Sequence, residues 1–185
     1  MPSLVITFLG PDQPGLVGRL SDVVKQHQGN WLESRMAHLA GQFAGIVRLE
    51  VADASASALA EALQQIENLR IVVEQDPARE EAHHAPTISL DVIGMDRPGI
   101  VREVTQVLSA LNVNVEEFHT ECHDAPMSGE RLFKTHAKLR LPPDVSLQDL
   151  QEQLETAAAD LMVDLTPPTL RVGNPAGLDR SREAR

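Results

Sequence analysis

Hydrophobic and polar positions follow the same order of patterns in both halves of this chain. In the first half, residues 4–9 form a nearly continuous apolar run, which is typical of a buried strand. A helical period follows, in which Leu16, Val17, Leu20, Val23 and Val24 share one face. The remaining predicted elements are strand 30–36, strand 47–51, a helix carrying Leu59, Leu63 and Ile66, and strand 69–73. The order β-α-β-β-α-β predicts a ferredoxin-like module.

The second half repeats this series at a constant offset. Residues 10–17 read GPDQPGLV, and 84 residues later residues 94–101 read GMDRPGIV. Asn30 and Asn114, each at the start of a predicted strand, keep the same offset. A constant offset through strand, loop, helix and strand indicates duplication. The sequence therefore predicts an α+β fold of two ferredoxin-like βαββαβ modules, each an antiparallel sheet with helices on one face.

Proline, glycine and charged residues suggest the boundaries of these modules. We expect a first module at 1–76, a polar linker at 77–86, a second module at 87–172 and a flexible tail at 173–185. Within the first module, Gly41 and Gly45 are predicted to frame a turn. Ser55 or Ser57 is predicted to cap the second helix.

Charge and cysteine content narrow the class of protein. The net charge of −11 repels a phosphate backbone, which argues against direct binding to nucleic acid. A single cysteine, Cys122, suits a reducing cytoplasm. The chain shows no signal peptide and no apolar run of the ~18–20 residues that a membrane span needs, so we expect no membrane association.

Neither enzyme chemistry nor a metal site finds strong support in the sequence. Cys122 lies near His119 and His123, but nothing supplies an oxyanion hole or an orienting third group. A metal site that adds His136 to these three residues, or one at His83-His84 in the linker, lacks evident ligand geometry. We expect no enzyme activity, no metal and no cofactor.

The repeated turn offers binding chemistry instead. A plain strand-to-helix turn explains the proline and glycine. The functional alternative is that Gly15 and Gly99 leave backbone N–H groups bare at a helix N-terminus, where a carboxylate is favoured. Asp12 or Asp96 would attract an α-ammonium group. A helix of about twelve residues separates Asn30 or Asn114 from its own turn by roughly 18 Å. These asparagines are therefore expected to reach a ligand only at an interface between modules.

With these motifs, residues 3–172 resemble tandem ACT domains. A free-standing pair of this length is similar to the family of glycine cleavage system transcriptional repressors. The resemblance implies a regulator that senses a small amino acid, with glycine the first candidate, and that acts through a DNA-binding activator protein of LysR type. It also implies that Asp12, Gly15, Asn30, Asp96, Gly99 and Asn114 are the effector positions. Many amino-acid-binding ACT domains carry histidine two residues before the motif's aspartate, where this chain has Gly10 and Gly94.

Two other hypotheses of function remain as alternatives to this regulator. One is an ACT module that binds no ligand and serves only for interaction or dimerisation. The other is an enzyme that uses the Cys122 region. Exposed edges of ferredoxin-like sheets favour self-association, and we expect a homodimer.

Overall fold

The structure is a computed structural model that describes residues 3–76, 87–125 and 129–167. The chain divides into two compact units, residues 1–82 and 83–185. The predicted linker at 77–86 and the tail at 173–185 lie outside the described residues, so these boundaries remain predictions.

The first unit is a four-stranded antiparallel sheet with two helices. Its strands follow the order β2-β3-β1-β4, and β1 pairs with both β3 and β4. Its elements are β1 (Ser3–Pro11), α1 (Leu16–Gln26), β2 (Asn30–Leu39), β3 (Gln42–Glu50), α2 (Asp53–Gln64) and β4 (Arg70–Asp76).

The second unit repeats this architecture, with the strand order β6-β7-β5-β8. Its elements are β5 (Thr87–Met95), α3 (Ile100–Ala110), β6 (Asn114–Asp124), β7 (Arg131–Arg140), α4 (Leu147–Ala157) and β8 (Met162–Thr166). The predicted fold class, two ferredoxin-like βαββαβ modules, is confirmed. We call these units the first and second modules.

Each module has its own hydrophobic core, mostly aliphatic, between the sheet and its helices. Alternate residues of the central strand point into it, because side chains alternate across a strand, and one face of each helix meets them. The 84-residue offset holds for these buried positions: Leu4, Ile6, Phe8, Leu16, Leu20 and Val24 in the first module, and Ile88, Leu90, Val92, Ile100, Val104 and Leu108 in the second.

The opposite faces of the two sheets differ in character. In the first module, Ile46 and Val72 lie on either side of Thr7, and both are about half exposed (53% and 49%). In the second module Asp91 takes the place of Thr7 and lies beside His136, and the two side chains are 3.0 Å apart. The first module therefore offers a partly apolar face, and the second a charged one.

Two local predictions in the first module are wrong. Gly45 lies inside β3, and the turn is formed by Ala40 and Gly41, both with positive φ. A Cβ at Gly45 would lie 2.7–2.8 Å from atoms of Phe8 and Met36, so this glycine makes room for core packing. Helix α2 begins at Asp53 with Ala52 at its N-cap and no side-chain cap, so neither Ser55 nor Ser57 is the N-cap residue.

Among the described residues, no helix is both long enough and apolar enough to span a bilayer.

Candidate functional site

The first turn connects the end of β1 with the start of α1. The Asp12 N–H donates to the carbonyl of Gly41 at 2.9 Å, which ties the turn to the β2–β3 hairpin. Gly15 occupies the N-cap of α1 with φ 86°, a left-handed conformation that favours glycine. Backbone conformation alone therefore accounts for this glycine, and the case for a ligand depends on what surrounds it.

A small cavity opens at this turn. Its volume is about 220 Å³, and it is lined by Asp12, Gln13, Gly15, Leu16, Val17, Gly18 and Phe43. Pockets for drug-sized ligands run from about 300 to 1,000 Å³. This cavity is smaller, which suits a molecule of amino-acid size. A Cβ placed at Gly15 would meet nothing within 4 Å, so the backbone is open to approach.

The start of α1 presents backbone donors to this cavity. No side chain caps the helix, and among the described residues no backbone carbonyl accepts the N–H of Val17 or Gly18. The first turn of α1 also lacks an acidic side chain. Because the N-terminus of a helix favours negative charge, these features suit an incoming carboxylate. Asp12 lines the same cavity, and its carboxylate suits an ammonium group.

The second turn has the same backbone but different side chains. The Asp96 N–H donates to the carbonyl of Arg131 at 2.8 Å, and Gly99 has φ 102° at the N-cap of α3. Arg97 donates four hydrogen bonds here: two to Glu103, at 2.8 and 2.7 Å, and two to Asp160, at 2.7 and 2.9 Å. These hydrogen bonds lower the pKa of both carboxyl groups and raise that of the guanidinium. We call these three residues the Arg97 network.

The structure brings together some of the predicted site residues and separates others. Asp12 and Gly15 meet at the first turn, and Asp96 and Gly99 at the second. Asn30 begins β2 and pairs with Glu50, at the end of the sheet where β1 starts. Eight strand residues, roughly 26 Å, separate that end from the turn.

Asn114 takes the equivalent place at the start of β6, and its amide donates to Glu116. Neither asparagine reaches the turn of its own module, as the sequence argument expected.

Gly10 and Gly94 have a structural reason to be glycine. A Cβ at Gly10 would collide with the carbonyl oxygen of Asn68, and one at Gly94 would collide with Leu161. Both positions point into a crowded site beside the last strand of the module. A histidine at either position therefore has no room in this chain.

Sequence reasoning missed several residues around the turns. His38 lies 3.7 Å from the Asp12 carboxylate, and Phe43 lines the first cavity. Glu103 and Asp160 surround the second turn. The signal available in the sequence was the difference between Gln13 and Arg97 within otherwise matching motifs, which marks the second turn as the charged one.

The geometry gives no support to the Cys122 alternative. Cys122 pairs with Phe133, whereas His119 and His123 lie an odd number of residues away and so point to the opposite face of the sheet. Among the described residues, no group of three or more His, Cys, Asp or Glu side chains is arranged to hold a metal ion. His83 and His84 lie outside the described residues.

A larger groove of about 440 Å³ lies on the charged face of the second module. It is lined by Asp91, His119, Thr120, Glu121, Lys134 and His136. Small-molecule pockets are lined mainly by apolar and aromatic side chains. This groove has no such lining residue, so it is the weaker candidate.

Comparison with known proteins identifies the two modules. Residues 3–74 and residues 88–155 each match a model of the ACT domain, which together covers about three-quarters of the chain. The chain is 24% identical over 164 residues to the glycine cleavage system transcriptional repressor of Escherichia coli K12, with 85% of each chain covered.

Solved structures agree on the fold. An unknown protein from Galdieria sulphuraria superimposes with a TM-score of 0.81 and 27% identity, over 91% of this chain and 99% of that one. A crystal structure provisionally named a glycine cleavage system transcriptional repressor gives a TM-score of 0.67 and 22% identity, over 90% and 96% of the two chains. On the evidence of both modules, this chain belongs to the ACT domain family and carries two ACT domains in tandem.

Proposed function

We propose that this chain is a non-enzymatic regulator that binds a small amino acid at its strand-to-helix turns and controls transcription through a protein partner. Glycine is the first candidate effector, because the relative from Escherichia coli is a repressor of the glycine cleavage system. The effector positions in this proposal are Asp12, Gly15, Asn30, Asp96, Gly99 and Asn114.

The observation that carries the proposal is that a helix N-terminus and an aspartate line the same cavity. Two backbone N–H groups, those of Val17 and Gly18, have no backbone acceptor among the described residues, and both residues line the cavity at the positive end of α1. Asp12, whose side chain ends in a carboxyl group, lines the same cavity. A free amino acid carries the complementary pair, a carboxylate and an ammonium group, separated by one carbon atom.

The proposed route to transcription follows from charge. With a net charge of −11, the chain is a poor ligand for DNA, because the phosphate backbone repels an acidic surface. Regulation would then need a DNA-binding activator protein as partner. We further propose that the protein acts in the cytoplasm, since its cysteine is a free thiol.

The binding claim is tested by thermal unfolding of the full chain with each of the twenty amino acids at millimolar concentration. A ligand at 100 times its Kd should add about 2.7 kcal/mol to the free energy of unfolding. Asp12→Asn keeps the shape of the turn but removes the charge, and should weaken binding by roughly tenfold to a hundredfold, the range for a hydrogen bond to a charged group. Asp22→Asn is the matched control, since it removes an exposed carboxylate of α1 outside the turn. Equal affinity in the two variants would contradict the proposed role of Asp12.

A specific observation favours a second candidate, an interaction module without a ligand. Leu9, Ile46 and Val72 are each about half exposed on the open sheet face of the first module. Burial of such a face is a common basis for association, and we propose a homodimer on these grounds. An amino-acid screen with no stabilisation, together with a dimer in solution, would favour this candidate over the sensor.

A further inference from the structure

The second turn is filled by side chains of its own module. The Arg97 guanidinium holds two carboxylates through four hydrogen bonds, one pair to Glu103 on α3 and the other to Asp160, just before β8. All four distances lie between 2.7 and 2.9 Å, which is the range of charge-assisted bonds. The network therefore links the turn, the helix start and the last strand of the module.

Glu103 brings a carboxylate to the place that a ligand carboxylate would take. It belongs to the first turn of α3, and its Oε1 lies 3.6 Å from the point where a Cβ on Gly99 would stand. A negative charge at this place complements the helix N-terminus. The backbone approach that is open at Gly15 is thus covered at Gly99.

The first module carries none of these three charges at the equivalent positions. The 84-residue offset pairs Arg97 with Gln13 and Glu103 with Arg19. Asp160 corresponds to Asn68, since the two residues flank Gly94 and Gly10 in the same way. Arg19 is exposed one helical turn after Gly15, and the start of α1 lacks a carboxylate.

We propose that the second turn is occupied by its own Glu103 carboxylate, held there by Arg97, so that only the first turn takes the effector. This inference rests on the proposed function, because it names which of the two turns performs it. Arg97 and Glu103 are then the residues that determine specificity between the turns. One chain then binds one amino acid.

The test labels the glycines of the full chain with ¹⁵N and follows their backbone amides during a titration with unlabelled glycine, then with the other amino acids. The amides of Gly15 and Gly18 report on the first turn, and that of Gly99 reports on the second. A variant carrying Arg97→Gln, Glu103→Arg and Asp160→Asn gives the second turn the side chains of the first, and we call it the opened variant. The reverse variant, with Gln13→Arg, Arg19→Glu and Asn68→Asp, places the same charges in the first turn, and we call it the closed variant. Circular dichroism establishes that both variants fold.

In the wild-type chain we expect saturable shifts at Gly15 and Gly18, no shift at Gly99, and one ligand per chain by calorimetry. In the opened variant the Gly99 amide should shift, and two ligands should bind per chain. In the closed variant the affinity for the ligand should fall at least tenfold. The inference is overturned if the Gly99 amide of the wild type shifts with an affinity similar to that of the first turn, or if the Gly99 amide of the opened variant does not shift. Either result leaves the proposed function standing. If no amino acid shifts any wild-type amide, the proposed function fails. The inference then fails as well, because neither turn of the wild-type chain takes an effector.

Discussion

Gly10 and Gly94 occupy equivalent positions in the two modules, but different atoms surround them. Substitution by alanine is therefore predicted to destabilise the two modules unequally. Neither glycine has a positive φ, so alanine fits both backbones and the comparison isolates the added methyl group. At Gly10 the new Cβ would collide with the carbonyl oxygen of Asn68, and Leu69 Cδ2 lies 2.7 Å away. At Gly94 it would collide with the side chain of Leu161, while the nearest backbone atom, the carbonyl oxygen of Asp160, is 3.4 Å away.

The expected magnitudes follow from what each neighbour can do. A leucine side chain can change rotamer, but the carbonyl of Asn68 moves only with its backbone. Overpacking a core costs about 1–3 kcal/mol, and replacing glycine in a strand returns roughly 0.5–1 kcal/mol of conformational entropy. Gly10→Ala should therefore lower the free energy of unfolding by about 2 kcal/mol. Gly94→Ala should lower it by about 1 kcal/mol or less.

Urea denaturation with two probes measures both values. Trp31 is the single tryptophan of the chain and packs against the core of the first module, so its fluorescence reports on that module. Circular dichroism at 222 nm follows the helices of both modules. Gly10→Ala should move the fluorescence transition to lower urea, and Gly94→Ala should leave it in place. Equal losses, or a larger loss for Gly94→Ala, would refute the steric reasoning.

Two further predictions concern the second module. Ser146→Ala removes the N-cap of α4, where the Ser146 hydroxyl accepts from the Asp149 N–H at 3.1 Å, and should cost about 1 kcal/mol in urea denaturation; an unchanged midpoint would contradict the capping role. Arg97 lowers the folded-state pKa of Glu103 and Asp160 below their ordinary values of 4.5 and 3.8, so its stabilisation is present above pH 4.5 and is lost as the pH falls through the lowered values. Arg97→Gln should therefore destabilise the chain at pH 7, and its difference from the wild type should shrink as the pH falls below 4.5, whereas a difference independent of pH would contradict this assignment.

The fold could be predicted because its determinants are local and occur twice. Alternation along β1 and the helical period of α1 each depend on neighbouring residues. Because the same patterns recur 84 residues later, the prediction for each module supports the prediction for the other. Local signals failed where the structure depends on distant partners. Gly45 resembles a turn residue in sequence, but its place in β3 depends on Phe8, 37 residues earlier.

The candidate site was predictable only in part for the same reason. The Asp-x-Pro-Gly motif identified Asp12, Gly15, Asp96 and Gly99, whose positions follow from the motif itself. The Arg97 network did not follow, because Asp160 is 63 residues away and reaches Arg97 through the pairing of β5 with β8. The contact of Asp12 with the hairpin at Gly41 likewise depends on the pairing of β1 with β3. All six effector positions, Asn30 and Asn114 included, remain predictions.

Direct titration of the full chain with glycine in a calorimeter tests the central claim, that an ACT turn of this protein binds a small amino acid. The account predicts saturable heat in the wild-type chain, weakened roughly tenfold to a hundredfold in Asp12→Asn and unchanged in Asp22→Asn. If glycine gives no heat, the other nineteen amino acids are titrated in turn. Absence of binding for all twenty, in a folded chain, would contradict the account.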